Sequence, residues 1–367
     1  MKKILLICPS NRLFMPYLDN YTSILDGEGI NYDLAIWDRI GREEKADFVF
    51  FDKTNSYRKS FFSYLKYSYF IRKILNKHNY DIIIVFGLQL TFFLKNILLR
   101  RDKYKYVIDI RDYNKILKVT NLKHVLRHAH FVVISSPKYR SWLPTGISYI
   151  LNHNMSLESF EQSEMRGILD KSYFTISYIG TLVNLEINIS LIEEFKNSDL
   201  FKLRFVGAGL INEDLKKYIE RMDVKNVEIM GKYEKCEEGM YYRSSDFISM
   251  ILETNYINST VLSNRLYNAA LYAVPLIALE GSLISSIINE YNLGLVVNDI
   301  NGLSTKLLEY IEGFDEDIFL EGRSRFLKRV VEDNKLFRKK LIEFISSCQD
   351  SENDALSTKM CGDTIIK

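Results

Sequence analysis

Short apolar runs rich in Ile, Val and Phe alternate with longer amphipathic stretches along the chain. Strands are predicted at 3–8, 32–37, 82–86, 106–110 and 131–135, and then at 174–180, 202–206, 227–230, 247–251, 276–279 and 294–297. In the second half, helices are predicted at 186–197, 211–222, 263–272, 283–291 and 302–312. Because strands that are apolar throughout fit a parallel sheet covered on both faces, the alternation indicates βαβ units. The chain is therefore predicted to be α/β, with two facing Rossmann-like, doubly wound parallel-sheet domains.

A polar segment at 152–171 interrupts this pattern and divides the chain. We predict an N-terminal domain at 1–155, a linker at 156–171, a second domain at 172–322, a helical region at 323–346 and a mobile tail at 347–367. Ligands of doubly wound sheets bind beyond the carboxyl ends of the strands. A cleft between the two domains is therefore the expected site.

The chain has 367 residues, of which 47% are hydrophobic, so it is long enough to bury two cores. It contains no run of 18 uncharged apolar residues, and its apolar start is too short for a secretory signal. The cysteines are Cys8, Cys236, Cys348 and Cys361, and their spacing predicts neither a zinc site nor a disulfide framework. We expect a cytoplasmic protein.

Charge is distributed unevenly along the chain. Residues 1–150 contain 25 Lys and Arg against 13 Asp and Glu, whereas residues 151–367 contain 24 against 34. The two parts therefore carry net charges of +12 and −10. A strongly basic half commonly contacts an anionic partner.

The segment 53–77 concentrates this basic charge, with seven basic residues, no acidic residue and many aromatic side chains. Lys59, Lys66, Lys73 and Lys77 recur at spacings that put them on one face of a helix. Lysines beside aromatic rings suit an anionic membrane surface, where each lysine contributes about 1 kcal/mol. We therefore predict peripheral contact with the inner face of the cell membrane. A core helix with solvated lysines is the alternative, and nucleic-acid binding is not expected because no reader motif is present.

The segment 263–282 predicts a helix whose first turn binds an anion. Ser263 and Asn264 are N-cap residue types, Arg265 puts a cation in the first turn, and Pro275 ends the helix. A helix N-terminus already carries about half a positive charge, so a cation there is unfavourable unless something negative binds. Free backbone N–H groups and a guanidinium that can grip two phosphate oxygens describe a diphosphate site.

Two carboxylates and an arginine follow the predicted strand at 106–110. Asp109, Arg111 and Asp112 thus lie near the carboxyl end of a first-half strand, where catalytic groups of α/β sheets gather. A carboxylate there can act as a general base, and Arg111 can orient it or an anionic substrate. Asp112, which lies furthest beyond the strand, is the predicted base. A structural ion pair that closes the strand end is the alternative.

Three further patterns predict no catalytic chemistry. Gly207 and Gly209 form only part of a dinucleotide fingerprint, because Asn212 replaces its third glycine, and they predict a close backbone approach instead. The acidic turn at 315–317 follows a helix rather than a core strand. The histidines of 124–130 lack the Glu of the metalloprotease pattern, so no metal is expected.

The second half carries four short motifs in a characteristic order. They are Gly180-Thr181 after a strand, Phe-Val-Gly-Ala-Gly at 205–209, Met-Gly-Lys-Tyr at 230–233, and Ser-Asn-Arg-Leu-Tyr at 263–267 followed, after seven intervening residues, by Pro-Leu-Ile-Ala at 275–278. Over 174–297 the chain thereby resembles the bacterial GT-B glycosyltransferases of the group 1 type, which build capsule, exopolysaccharide and O-antigen. The first half is similar in outline, through Asp-Ile-Arg-Asp at a strand end.

This resemblance implies that Arg265, with Ser263 and Asn264, holds the diphosphate of a nucleotide-sugar donor. The other donor-binding residues that it implies are Gly180 and Thr181 for the phosphates, Gly231, Lys232 and Tyr233 for the base, and Gly281 and Ser282 for the sugar. Gly207 is also predicted to lie in the donor site. Many retaining members carry two glutamates eight positions apart, which correspond here to Thr260 and Asn268. Asn268 can still hydrogen-bond a ribose hydroxyl, and an inverting reaction with Asp112 as base stays open.

The expected function is transfer of a sugar, hexosyl or N-acetylhexosaminyl, from a UDP-linked donor to a lipid-linked glycan in surface polysaccharide biosynthesis. No cofactor and no metal are expected, because Arg265 and the helix dipole can carry the charge of the diphosphate. A UDP-sugar 2-epimerase-like enzyme and a catalytically degenerate GT-B partner subunit are the alternatives.

Overall fold

The computed structural model describes residues 3–41, 45–52, 59–100, 103–155, 171–253 and 255–362, with side chains as far as residue 348. It divides into two compact units. The first comprises Met1–Glu158 together with Glu332–Lys367, and the second comprises Ser159–Val331. Apart from Lys171, the predicted linker at 156–171 lies outside the described residues.

The first unit contains a seven-stranded parallel sheet. Its strands are β1 (Ile4–Cys8), β2 (Tyr32–Asp38), β3 (Phe48–Phe51), β4 (Ile82–Phe86), β5 (Lys105–Ile110), β6 (Val132–Ile134) and β7 (Tyr149–Leu151). Their order in the sheet is β3-β2-β1-β4-β5-β6-β7, with parallel pairing throughout. The central strands β1 and β4 are buried at every residue, as strands covered on both faces must be.

The helices of the first unit are α1 (Leu18–Gly27), α2 (Phe61–Lys77), α3 (Leu88–Leu98), α4 (Ile116–Val119) and α5 (Lys123–His128). Helix α2 begins after Ser60, whose hydroxyl accepts a hydrogen bond from the Ser63 N–H at 3.2 Å. Its buried face is fixed to the sheet by Tyr67, whose hydroxyl lies 2.9 Å from the carbonyl oxygens of both Cys8 and Ala35. This arrangement orients the opposite face of α2 towards solvent.

The second unit contains a six-stranded parallel sheet. Its strands are β8 (Phe174–Ile179), β9 (Phe201–Val206), β10 (Val227–Gly231), β11 (Phe247–Ser249), β12 (Leu276–Leu279) and β13 (Gly294–Val297). Its helices are α6 (Leu185–Phe195), α7 (Asn212–Arg221), α8 (Glu238–Arg243), α9 (Asn264–Leu271), α10 (Leu283–Glu290) and α11 (Leu303–Glu312). The order β10-β9-β8-β11-β12-β13 puts the topological switch point between β8 and β11.

A long helix, α12 (Glu316–Gly362), contributes to both units. In the second unit its Arg323 is buried, and the guanidinium donates to the carbonyl oxygens of Ala270 and Leu271, which end α9. In the first unit Phe337 and Phe344 of the same helix join the hydrophobic core. The helix begins before the predicted region at 323–346 and continues through 347–362 of the segment assigned to a tail.

The two α/β sheets confirm the predicted fold class, and the differences besides the length of α12 concern short elements. Strands β3 and β7 and helix α8 were not predicted. The residues of β3 alternate between half-buried and exposed, and those of β7 are all half-buried, because each strand lies at an edge of its sheet. Such short edge strands lack the continuous apolar run that marks an internal strand.

Candidate functional site

A cavity of about 650 Å³ opens in the second unit at the switch point between β8 and β11. It is lined by the end of β8, the loop after β11 and the start of α9. The predicted donor-binding residues that it brings together are Gly180, Thr181, Tyr233, Ser263, Asn264 and Arg265. Ligands of doubly wound sheets bind at this position, and the volume suits a small-molecule ligand.

The end of β8 forms one wall of the cavity. Gly180 has a backbone φ of 127°, a conformation that residues other than glycine rarely adopt. A Cβ atom on Gly207 would lie 1.9 Å from the Gly180 carbonyl oxygen, so the turn after β9 requires glycine there. The role of Gly207 is therefore the close backbone approach predicted from the sequence. Asn184, which also lines the cavity, has a left-handed φ of 60°.

Arg265 is held in a fixed position at the start of α9. The Ser263 hydroxyl caps this helix by accepting a hydrogen bond from the Arg265 N–H. The Arg265 guanidinium donates from Nη1 to the Ser249 carbonyl oxygen at 2.6 Å and lies 3.9 Å from the centre of the Tyr178 ring. Among the described residues that line the cavity, Arg265 is the only cation. The arrangement can therefore bind an anion with the guanidinium donors that Ser249 leaves unused.

Tyr178 and Ser249 were missed by the sequence analysis. A tyrosine in a strand and a carbonyl oxygen at a strand end have no local signal that relates them to Arg265. Tyr178 precedes the Gly180-Thr181 motif by only two residues, and its hydroxyl donates to the Thr181 carbonyl oxygen at 3.0 Å. This hydrogen bond ties the aromatic ring beneath Arg265 to the turn that lines the cavity.

Two tyrosines and a glutamate form another part of the wall. The Tyr233 hydroxyl donates to Oε1 of Glu238 at 3.1 Å, and burial together with Glu238 raises the pKa of Tyr233. Tyr242 also lines the cavity, and burial raises its pKa as well. Asn268 is not among the described lining residues, and its Nδ2 lies 3.4 Å from the Tyr242 hydroxyl. Asn268 therefore contacts a residue that lines the cavity but does not line it itself.

The remaining predicted donor-binding residues lie outside the described lining of this cavity. They are Gly207, Gly231, Lys232, Asn268, Gly281 and Ser282. Lys232 is exposed and lies 3.8 Å from Glu234. Ser282 caps α10 by accepting a hydrogen bond from the Ser285 N–H. It also lines a smaller neighbouring pocket, to which Glu253 and Asn258 belong as well.

Asp109 and Arg111 form a buried ion pair at the end of β5 in the first unit. Nε of Arg111 lies 2.5 Å from one oxygen of Asp109, and Nη2 lies 2.6 Å from the other. The Tyr21 hydroxyl donates to Asp109 at 2.5 Å, and Arg111 also donates to the side chain and the carbonyl oxygen of Asn152. These contacts match the structural ion pair that was the alternative interpretation. Asp109, which is fully buried, is not accessible to a substrate in this structure.

Asp112 differs from Asp109 because it is exposed to solvent. Although the residue is exposed, nearby protein atoms partly desolvate its carboxyl and raise the pKa, and the charge of Arg111 offsets only part of this effect. The next residue, Tyr113, packs edge-on against Trp142 with ring centres 5.4 Å apart. Trp142 lines a cavity of about 570 Å³ within the first unit. Asp112 itself is not among the described residues that line this cavity, and its raised pKa is the property that it shares with a general base.

Helix α2 has a basic and aromatic solvent face. The exposed lysines are Lys66, Lys73 and Lys77. The exposed apolar side chains are Phe61, Phe62, Leu65 and Tyr69, with Phe62 being 72% exposed. Lys59 lies before the first residue of α2, so its predicted place on the helix face is wrong. Tyr64 and Tyr67 pack in the core, so only some of the aromatic residues belong to the exposed face.

The described residues contain neither a metal-binding cluster nor a helix that could span a membrane. No group of three or more His, Cys, Asp and Glu side chains among them is placed to hold a metal ion. No described helix combines the length and the apolar character needed to cross a bilayer.

Solved structures with a similar fold cover nearly the whole chain. Sucrose-phosphate synthase from Thermosynechococcus elongatus has a TM-score of 0.70 at 13% sequence identity, and the match covers 95% of this chain and 100% of that chain. The lipopolysaccharide outer core galactosyltransferase WaaB has a TM-score of 0.64 at 16% identity, and the match covers 92% of this chain and 98% of that chain. HepE from Anabaena, solved in complex with UDP, has a TM-score of 0.63 at 12% identity, and the match covers 95% of this chain and 100% of that chain. No protein-family profile and no curated protein matches the sequence.

At these identities the likeness shows the fold. The chain has the fold of the GT-B glycosyltransferases, with two α/β units that each contain a parallel sheet.

Proposed function

We propose that the chain is a glycosyltransferase that moves a sugar from a UDP-linked donor to a lipid-linked glycan in surface polysaccharide biosynthesis. The observation that carries the proposal is Arg265, held by Ser249 and Tyr178 at the edge of a cavity at the switch point of the second sheet. HepE, which has a similar fold, has been solved with UDP and with UDP-glucose. The fold and the cavity together support a nucleoside diphosphate sugar as the ligand.

The chemistry of the proposal uses a diphosphate as the leaving group. The acceptor hydroxyl oxygen attacks the anomeric carbon, the bond from that carbon to the diphosphate oxygen breaks, and the hydroxyl proton passes to the Asp112 carboxylate. Arg265 and the N–H groups in the first turn of α9 stabilise the charge that develops on the diphosphate. A carboxylate with a raised pKa holds a proton more readily than an ordinary aspartate. Such a direct displacement inverts the configuration of the anomeric carbon.

The acceptor side of the proposal depends on the exposed face of α2. Phe61, Phe62 and Tyr69 are exposed beside Lys66 and Lys73. Aromatic rings favour the headgroup region of a bilayer, and lysines are attracted to anionic lipids. A cytoplasmic enzyme attached in this way to the inner face of the cell membrane would meet a lipid-linked acceptor there.

Nucleotide binding tests the donor assignment directly. The melting temperature of the purified chain is measured with UDP, GDP, CMP and dTDP. UDP is expected to raise the melting temperature most, because the proposed donor is UDP-linked. A ligand present at 100 times its dissociation constant adds about 2.7 kcal/mol to the stability of the folded state. If no nucleotide raises the melting temperature, the proposed donor site is wrong.

Transfer is tested with labelled UDP-sugars and a lipid extract. Label is expected in the lipid fraction, together with stoichiometric release of UDP. Incubation without acceptor separates the alternatives, because only an epimerase converts the UDP-sugar by itself. A chain that binds UDP but neither transfers nor converts the sugar would be the degenerate partner subunit.

A further inference from the structure

The cavity at the switch point contains a carboxylate that the proposed reaction does not use. Glu238 is the first residue of α8, and its side chain is 15% exposed. It lines the cavity with Tyr233 and Tyr242. One carboxylate oxygen accepts the Tyr233 hydroxyl at 3.1 Å, and the other contacts the Lys235 ammonium. The carboxylate is therefore held in one orientation on the cavity wall.

A carboxylate that contacts a nucleoside diphosphate is expected to contact a group other than the phosphates, because two negative charges repel. An ionised carboxylate only accepts hydrogen bonds, and its two oxygens offer about four acceptor positions. Tyr233 and Lys235 occupy two of them. The remaining positions suit a neutral group that presents two neighbouring O–H donors. In a nucleoside diphosphate, the ribose 2′ and 3′ hydroxyls are such a group.

The charges of Glu238 and Arg265 both act on Tyr242 in the cavity wall. Burial raises the pKa of Tyr242, its contact with Asn268 lowers it, and the charges of Glu238 and Arg265 act on it with opposite signs. Both charges thus lie within electrostatic range of one ring on the cavity wall. Asn268 itself is 6% exposed, is not among the described residues that line the cavity, and has its Nδ2 3.4 Å from the Tyr242 hydroxyl. The ribose contact that the sequence assigned to Asn268 is therefore free to be made by another residue.

We propose that Glu238 binds the ribose hydroxyls of the nucleoside diphosphate and that Tyr233 holds its carboxylate in position. The inference rests on the proposed function, because it needs a nucleotide in this cavity. It makes Glu238 a residue that determines specificity for ribonucleotides over deoxyribonucleotides.

Binding of UDP and 2′-deoxy-UDP to the full chain, measured by calorimetry, tests the inference. The wild type is expected to bind UDP about tenfold or more tightly than 2′-deoxy-UDP, since a hydrogen bond to a charged group has been lost. In Glu238→Ala this ratio falls towards one, because UDP loses affinity and 2′-deoxy-UDP loses less. Glu238→Gln and Tyr233→Phe are expected to give intermediate ratios. Glu253→Ala, which removes another carboxylate from the same cavity, is the matched control and keeps the wild-type ratio.

The outcomes separate this inference from the proposed function. If the wild type binds UDP but does not distinguish it from 2′-deoxy-UDP, or if Glu238→Ala keeps the full ratio, the ribose assignment is wrong and the donor site stands. If the wild type binds neither nucleotide, and binds no GDP or CDP either, the proposed function fails and the ribose assignment fails with it. Circular dichroism of each variant shows whether a lost ratio reflects lost folding, and Tyr233→Phe provides a second measurement that leaves the carboxylate in place.

Discussion

Replacement of Arg265 by alanine should reduce UDP binding by about two orders of magnitude. A guanidinium has five N–H donors, and Nη1 of Arg265 already donates to the Ser249 carbonyl oxygen. The remaining donors can form a paired contact with phosphate oxygens. Each hydrogen bond to a charged group contributes about 1.5 to 3 kcal/mol, so loss of a paired contact should cost about 3 kcal/mol, or roughly a hundredfold in the dissociation constant.

Two further variants separate charge from geometry at this position. Arg265→Lys keeps the charge but loses the planar fork and the stacking on Tyr178, so we expect an intermediate loss of about tenfold. Tyr178→Leu leaves the guanidinium in place but removes the ring beneath it, and a contact of this kind contributes about 0.5 to 2 kcal/mol. UDP affinity should therefore fall a few-fold in Tyr178→Leu.

Calorimetric titration of UDP into each variant measures these losses. Arg221→Ala is the matched control, because Arg221 also lies over a tyrosine ring, that of Tyr218, but is exposed on α7 and does not line the cavity. The Ser249 carbonyl oxygen loses a partner in Arg265→Ala, which should cost about 1 to 3 kcal/mol of stability, so titrations are run well below the melting temperature. An affinity of Arg265→Ala within threefold of the wild type would refute the diphosphate assignment.

Three other changes have distinct expected outcomes. Asp109→Asn should lower the free energy of unfolding in urea by about 3 to 5 kcal/mol, because it leaves a buried arginine without its counter-charge; a loss below about 1 kcal/mol would contradict this role. Asp112→Asn should abolish transfer without loss of stability at neutral pH. The folded state raises the pKa of the Asp112 carboxyl above its ordinary value of 3.8. The contribution of Asp112 to the free energy of unfolding is therefore fully favourable below pH 3.8 and is lost as pH rises through the folded pKa. An Asp112→Asn variant that is less stable than the wild type at pH 7 would contradict the role of general base. The combined change of Lys66, Lys73 and Lys77 to Gln should weaken binding to anionic vesicles at low salt roughly a hundredfold, at about 1 kcal/mol for each lysine. The control is the same change at three exposed lysines of the second unit, Lys216, Lys217 and Lys225, and equal binding of the two triple variants would exclude α2 as the membrane contact.

Helix α2 shows which features the sequence pattern predicted and which it could not. Periodicity identified the helix and its basic residues, and three of the four predicted lysines are exposed on it. The same periodicity could not show that the helix begins at Phe61, after Lys59. It also could not divide the aromatic residues into those that pack in the core, such as Tyr67, and those that are exposed, such as Phe62. That division depends on the position of the sheet beneath the helix.

The sequence by itself determined the features that depend on neighbouring residues. Continuous apolar runs gave the internal strands, and Ser263 followed by Arg265 gave both the capped start of α9 and its cation. These signals are local, because the backbone geometry of a strand or a helix end is decided within a few residues. The motifs around them were sufficient to indicate the α/β fold and the region of the cavity.

Only the tertiary structure decided which side chains meet across the sheet. Asp109 contacts Tyr21, a residue 88 positions away, and is thereby buried in an ion-pair network instead of being open to a substrate. Tyr178 lies beneath Arg265, and Glu238 rather than Asn268 lines the cavity. Such contacts join strand ends and loops that are distant along the chain. Their pairing follows from strand order and packing, which no local pattern of residues specifies.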